Sequence, residues 1–185
     1  MAELGLADKV VRLHQVLGAA GVAHAFGGAL ALAYYAEPRV TVDIDVNLFV
    51  EPARYPDILE ILEPLGVGRA PAEKSVLADG QARLWWGRNP VDLFFAYHPV
   101  HDAIRDAARS VPFGPDQIPV LGPEHLLVAK VAFDRPKDWL DIEQMLILTP
   151  ALDLDETYRW LEELLSADDA RIERLRQLEH ELRGP

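Results

Sequence analysis

The chain of 185 residues contains no cysteine. Disulfides and thiolate metal sites are thereby excluded, and any metal must be held by carboxylate, imidazole or carbonyl groups, a donor set that suits a hard cation. Basic residues are in the minority: 18 lysines and arginines face 30 aspartates and glutamates, for a net charge of −12. Such a balance excludes a surface that grips nucleic acid everywhere by phosphate neutralisation, which needs a broad basic face. A local basic pocket remains open, so the positions of the basic residues matter more than their number. Long apolar runs are missing as well. The longest weakly polar stretch, 25–36, is too short to span a bilayer. The opening Met1-Ala2-Glu3-Leu4-Gly5-Leu6-Ala7-Asp8 carries no basic segment followed by an apolar run, and a cytoplasmic protein is expected.

What is present is the balance of an ordinary globular protein, with 50% hydrophobic and 26% charged residues. The length suits one well-cored domain, or one domain with a helical appendage. Apolar residues at Leu6, Val10, Leu13, Val16 and Leu17 recur with helical period over 4–20. A short strand at 22–26 is broken by Gly27-Gly28, which leads into a second helix over 29–36 that Pro38 stops. The clearest strand runs through Val40-Thr41-Val42-Asp43-Ile44-Asp45-Val46 and continues to Val50. A helix is expected over 55–65. The segments 75–78 and 81–86 flank Asp79-Gly80, a hairpin signal, and a further strand follows Asn89-Pro90 over 91–97. From His98 onward the pattern reads as helical, at 104–110, 124–134, 137–148, 154–165 and 168–182. The expected organisation is a mixed α/β core over 1–120 and a helical part over 121–185 packed on it, with Leu121-Gly122-Pro123 at the boundary.

Chemistry concentrates on the carboxylates. Asp43 and Asp45 are spaced by two in a strand, so both project from one face while Val42, Ile44 and Val46 fill the other. Two like charges side by side raise each other's pKa, and a shared divalent cation resolves that conflict; the alternative is a solvated polar face. Asp92 is a lone acid between Val91 and Leu93-Phe94-Phe95, either a third carboxylate beside the first two or the start of a strand after a turn. Gly27-Gly28 is either a plain turn or one in which missing side chains let backbone N–H groups approach an anion. Lys137 and Asp141 have the i, i+4 spacing of a helix ion pair, and Lys130 either snorkels from a buried helix or delivers its charge to a cleft. The six histidines share no metal-ligand spacing. Trp85-Trp86, beside Arg83 and Arg88, offers either a stacking surface or core and rim packing.

Taken together, Gly27-Gly28-Ala29-Leu30-Ala31-Leu32 and Arg39-x-Thr41-x-Asp43-x-Asp45 resemble the signature of DNA polymerase β-type nucleotidyltransferases, in particular the AbiEii-like group of toxin-associated enzymes. Glu124-His125-Leu126-Leu127-Val128-Ala129-Lys130 and Arg135-Pro136-Lys137-Asp138-x-x-Asp141 resemble that group's downstream motifs. The resemblance implies a nucleotidyltransferase-fold mixed sheet flanked by helices, and transfer of a nucleoside monophosphate from a nucleoside triphosphate with release of pyrophosphate. It assigns Asp43, Asp45 and Asp92 to magnesium or manganese, and Gly27 and Gly28 to phosphate. Lys130 and Lys137 would neutralise the triphosphate, Arg39 and Thr41 complete the nucleotide site, and Asp141 bonds the basic residues or lies near the acceptor. The toxin-like members act on transfer RNA acceptor ends, which makes that the leading acceptor and an antitoxin a possible partner. A hydroxylated small molecule such as an antibiotic, or a catalytically silent nucleotide-binding protein, are the alternatives.

Overall fold

The computed structural model describes residues 4–68 and 73–184, so the first three residues of the N-terminal reading lie outside it. The chain forms two compact units, one of Met1–Leu30 with Val40–Leu121 and the other of Ala31–Arg39 with Gly122–Pro185.

The first unit is built on a sheet of six strands, β1 (His24–Phe26), β2 (Ile44–Leu48), β3 (Gln81–Trp86), β4 (Asn89–Phe95), β5 (Arg109–Phe113) and β6 (Asp116–Val120). Their order is β3-β4-β2-β1-β6-β5, with β2 parallel to β4, β1 parallel to β6, and the other neighbours antiparallel. Period-two alternation decides which face is core. Ile44, Val46, Leu48, Val91, Leu93, Phe95, Ala82, Leu84 and Trp86 are buried, whereas the intervening Asp45, Asn47, Asp92, Gln81, Arg83 and Trp85 are half-buried or exposed. Helices α1 (Leu6–Ala19) and α3 (Tyr55–Leu62) present Val10, Leu13, Leu17, Ile58 and Leu62 to this core. Buried Lys9 of α1 is satisfied by the Trp86 carbonyl at 2.9 Å and Asn89 Oδ1 at 2.7 Å.

Several elements differ from the sequence reading, and the second helix, expected over 29–36, closes at Leu32. The strand expected from Val40 begins only at Ile44, and Val40 and Val42 are 94% and 58% exposed. The ladder stops there because the Asn89 side chain takes the Val42 carbonyl at 2.8 Å, beside Pro90, which has no N–H to offer. The residues before Asp79-Gly80 form a helix, α4 (Glu73–Asp79), and no hairpin. Gly80 ends that helix at φ +64, with its N–H on the Val76 carbonyl; a Cβ there would lie 2.4 Å from the Tyr97 ring. The actual hairpin is β3–β4, turned at Gly87-Arg88 with Gly87 at φ +60. Finally, the helix expected at 104–110 is α5 (Val100–Asp106), and β5–β6 follows where helix was expected. Pro112 and Pro119 interrupt the strand pattern of that hairpin, and an edge strand such as β5 tolerates a missing N–H.

The second unit holds α6 (Pro123–Phe133), α7 (Pro136–Leu148), α8 (Leu154–Leu164) and α9 (Ala170–Arg183). Asp134, left-handed at φ 53, closes α6 and accepts the Trp139 indole N–H at 2.6 Å; Pro136 then opens α7. Asp153 and Asp169 cap α8 and α9. The apolar stripe of α9 packs back within its own unit, with Ile172 and Leu175 fully buried. Among the described residues no helix is long and apolar enough to cross a membrane.

Histidines make this fold sensitive to acid. His24 donates Nδ1–H to the Val22 carbonyl at 2.8 Å, which leaves its Nε2 to accept from His14 Nδ1 at 3.0 Å. Burial, aided by His14, holds His24 below the ordinary histidine value against the opposing Val22 bond, and burial does the same to His101 and His125. A histidine depressed in the folded state contributes stability that is complete above its unfolded value of about 6.5 and is lost as pH falls through the folded one. The urea midpoint is expected to be level above about pH 7 and to fall toward pH 5.5, before most carboxylates titrate. A midpoint that stayed level or rose over that interval would contradict the assignment.

Candidate active site

The open face of the first unit carries the acids. Asp45 of β2 and Asp92 of β4 are register partners in the parallel pair, so their side chains leave the sheet on one face. Asp43 stands two residues before Asp45, just ahead of the strand, where the Thr41 hydroxyl accepts its N–H at 3.2 Å. This turn shapes the approach to β2 and gives Thr41 a backbone role next to Asp43.

Gly27 and Gly28 pass directly against Asp45. The Gly27 N–H donates to the Asp45 carbonyl at 3.0 Å, and Gly28, at φ +54, begins α2 (Gly28–Leu32). A Cβ on Gly28 would come within 1.8 Å of Asp45 Oδ2, and one on Gly27 within 2.9 Å of Asn47 Nδ2. Gly28 is favoured by contact and by conformation, whereas Gly27 is crowded only by the ends of the Asn47 and Leu121 side chains.

Arg83, which the sequence reading placed only beside the tryptophans, is the cation of this face. It is the register partner of Asp92 across β3–β4 and grips both carboxylate oxygens, Nε to Oδ1 at 2.7 Å and Nη2 to Oδ2 at 2.6 Å. Its pKa is raised, first by that hydrogen bond against a desolvation cost, and then by the charges of Asp92, Asp43 and Asp45. The three acids thus share one field. Trp85 lies on the same face, 48% exposed, while Trp86 is turned into the core.

Carboxylate oxygens on one face, with no imidazole or thiol among them, fit a hard divalent cation. Asp43 and Asp45 are the pair on which such an ion would rest. Among the described residues no three His, Asp or Glu side chains already stand together as a metal site, and Asp92 is engaged by Arg83.

The downstream motif residues gather in the second unit. Lys130 of α6 is 3% exposed and donates to Asp141 Oδ2 at 2.6 Å, with Asp138 Oδ1 at 3.8 Å. Arg39 bonds the same Asp141 from Nε at 3.0 Å and Nη2 at 3.1 Å, and Arg135 holds buried Asp138 at 2.6 Å. Burial alone would raise the Asp141 pKa, but the bonds from Arg39 and Lys130 outweigh it and hold the group below the ordinary aspartate range. Lys137 is exposed in the first turn of α7, and Asp141 is directed to Arg39 and Lys130. The motif Arg39, Lys130, Arg135, Asp138 and Asp141 is thus one ionic cluster that ties α6, α7 and the segment Ala31–Arg39 together.

No family model and no curated protein matches the chain. Solved structures do match in fold. The antibiotic-resistance factor ANT(2'')-Ia aligns with a TM-score of 0.56 at 19% identity, over 94% of this chain and 96% of that one. An antigenic nucleotidyltransferase-like protein from Paracoccidioides brasiliensis gives 0.55 at 14%, over 96% and 88%. The lincosamide antibiotic adenylyltransferase LnuA, bound to lincomycin, gives 0.55 at 11%, over 78% and 98%. The mixed sheet with its flanking helices is the nucleotidyltransferase fold.

Proposed function

We propose that the protein transfers a nucleoside monophosphate from a nucleoside triphosphate to a hydroxylated acceptor. The observation that carries this reading is the register pairing of Asp45 with Asp92, backed by a glycine turn in which left-handed Gly28 lies against Asp45. Bound magnesium or manganese would rest on Asp43 and Asp45, with Asp92 as the third carboxylate, and would supply neutralisation of the phosphates. Gly28, bare of a side chain, lets the Asp45 carboxylate lie directly against the glycine turn. Asp92 takes the proton of the acceptor hydroxyl as its oxygen bonds the α-phosphorus and pyrophosphate leaves. Similarity of fold to the lincosamide antibiotic adenylyltransferase supports the reaction class.

The acceptor favoured by charge is a small hydroxylated molecule. A net charge of −12 opposes a polyanion, and exposed Trp85 offers a ring face on the side of the sheet that bears the acids. The lincomycin-bound neighbour agrees with such an acceptor. The transfer RNA 3′ end is the second reading, supported by the resemblance of Arg39-x-Thr41-x-Asp43-x-Asp45 to the toxin-associated group, and an antitoxin would accompany it.

The test incubates the protein with magnesium, each α-labelled nucleoside triphosphate, and either hydroxylated antibiotics or pooled transfer RNA. Label is expected on an antibiotic, with pyrophosphate released and the transfer lost in Asp43→Ala. Label on transfer RNA alone would replace the favoured acceptor. Nucleotide binding without transfer to either would instead show a binding protein.

A further inference from the structure

Asp92 presents a conflict. As third metal ligand or as base it needs an accessible oxygen, yet both of its oxygens are held by the fork of Arg83 at 2.6 and 2.7 Å. The two partners differ in freedom. The Asp92 side chain is 15% exposed in the sheet face, whereas that of Arg83 is 55% exposed. Arg83 can therefore leave by rotating into solvent, while Asp92 is fixed by its strand. Without a divalent cation, three carboxylates share this face and Arg83 feels the charge of each. An arginine and a divalent cation compete for the same negative charge, and their mutual repulsion disfavours both being present.

We propose that Arg83 is the resident counter-cation of the carboxylate face, holding Asp92 in the nucleotide-free protein and releasing it when divalent cation and triphosphate bind. The inference rests on the nucleotidyl-transfer reading and adds to it a positioning residue that keeps the third carboxylate occupied until substrate is present.

The test is Mn2+ binding to the nucleotide-free protein, read from the electron paramagnetic resonance of the free ion. Variants are Arg83→Gln, Arg83→Lys, Asp92→Asn, Asp45→Asn and the double variant Arg83→Gln/Asp92→Asn. Arg83→Gln is expected to bind Mn2+ about tenfold more tightly than the parent, since both oxygens of Asp92 are then free to join the ion. Arg83→Lys should stay near the parent, and the double variant should lose the gain, because the gain comes from the freed carboxylate. Melting curves with and without Mn2+ should show a larger stabilisation by the ion in Arg83→Gln. Unchanged or weaker binding by a folded Arg83→Gln overturns the proposal, as does a gain that persists without Asp92. If instead Asp45→Asn binds Mn2+ as the parent does, the metal site itself is wrong and the underlying reading fails with it.

Discussion

Asp45→Asn is expected to lower the rate of nucleotidyl transfer on the order of a thousandfold, the scale on which loss of a preorganised group facing the transition state is felt. The substitution keeps the shape of the side chain that fits against Gly28 and removes its charge. Melting curves in chelator separate a loss of chemistry from a loss of fold. The added stabilisation that magnesium gives the parent should shrink in the variant. Single-turnover label transfer, with melting curves in chelator and in magnesium, reads both. A loss below about tenfold would place the chemistry away from this carboxylate.

Asp141→Asn should have the opposite profile, a large loss of stability. Its cluster contains Lys130, Arg39 and Arg135 against Asp138 and Asp141, so the neutral variant leaves a buried lysine with no carboxylate nearer than Asp138 at 3.8 Å, which Arg135 already holds. Breaking a buried pair by removing one partner costs about 3–5 kcal/mol. Lys130→Met should cost far less, about 1 kcal/mol, because Asp141 keeps Arg39, Asp138 keeps Arg135, and methionine fills a similar volume. The double variant Lys130→Met/Asp141→Asn should recover part of the loss. Because Asp141 is depressed in the folded state, the stability it contributes is complete above its unfolded value of about 3.9 and lost as pH falls through the lower folded one. Denaturant curves of the three variants measure the asymmetry; equal costs for Lys130→Met and Asp141→Asn would rule out this charge accounting.

Local pattern made much of the architecture legible. Alternation of apolar and acidic residues around Asp45 and Asp92 was enough to anticipate a polar sheet face, and helical periodicity located the C-terminal helices. What eluded it had specific causes. Asp79-Gly80 has the composition of a hairpin turn, but glycine in the left-handed region serves a helix end equally well, and Val76 is buried at helical spacing. The true turn, Gly87-Arg88, sets a register in which residue 86 faces 89 and therefore 83 faces 92. Counting outward from it would have found the Arg83–Asp92 pair. Pairing between β2 and β4, and the meeting of Arg39 with Asp141, join residues far apart in the chain, and no periodicity encodes them.

The segment Ala31–Arg39 sits in sequence between the glycine turn and Asp43, yet it belongs with the helices that follow Leu121. As the chain leaves the ribosome, Arg39 emerges 102 residues ahead of Asp141 and cannot meet that partner until α7 has been made. Contacts of such separation are slow to form and leave unpaired surface exposed meanwhile. The glycine turn and the acids can therefore emerge early, while the segment that joins them docks among the last, and nascent chains halted before α7 should be vulnerable to protease within 31–39.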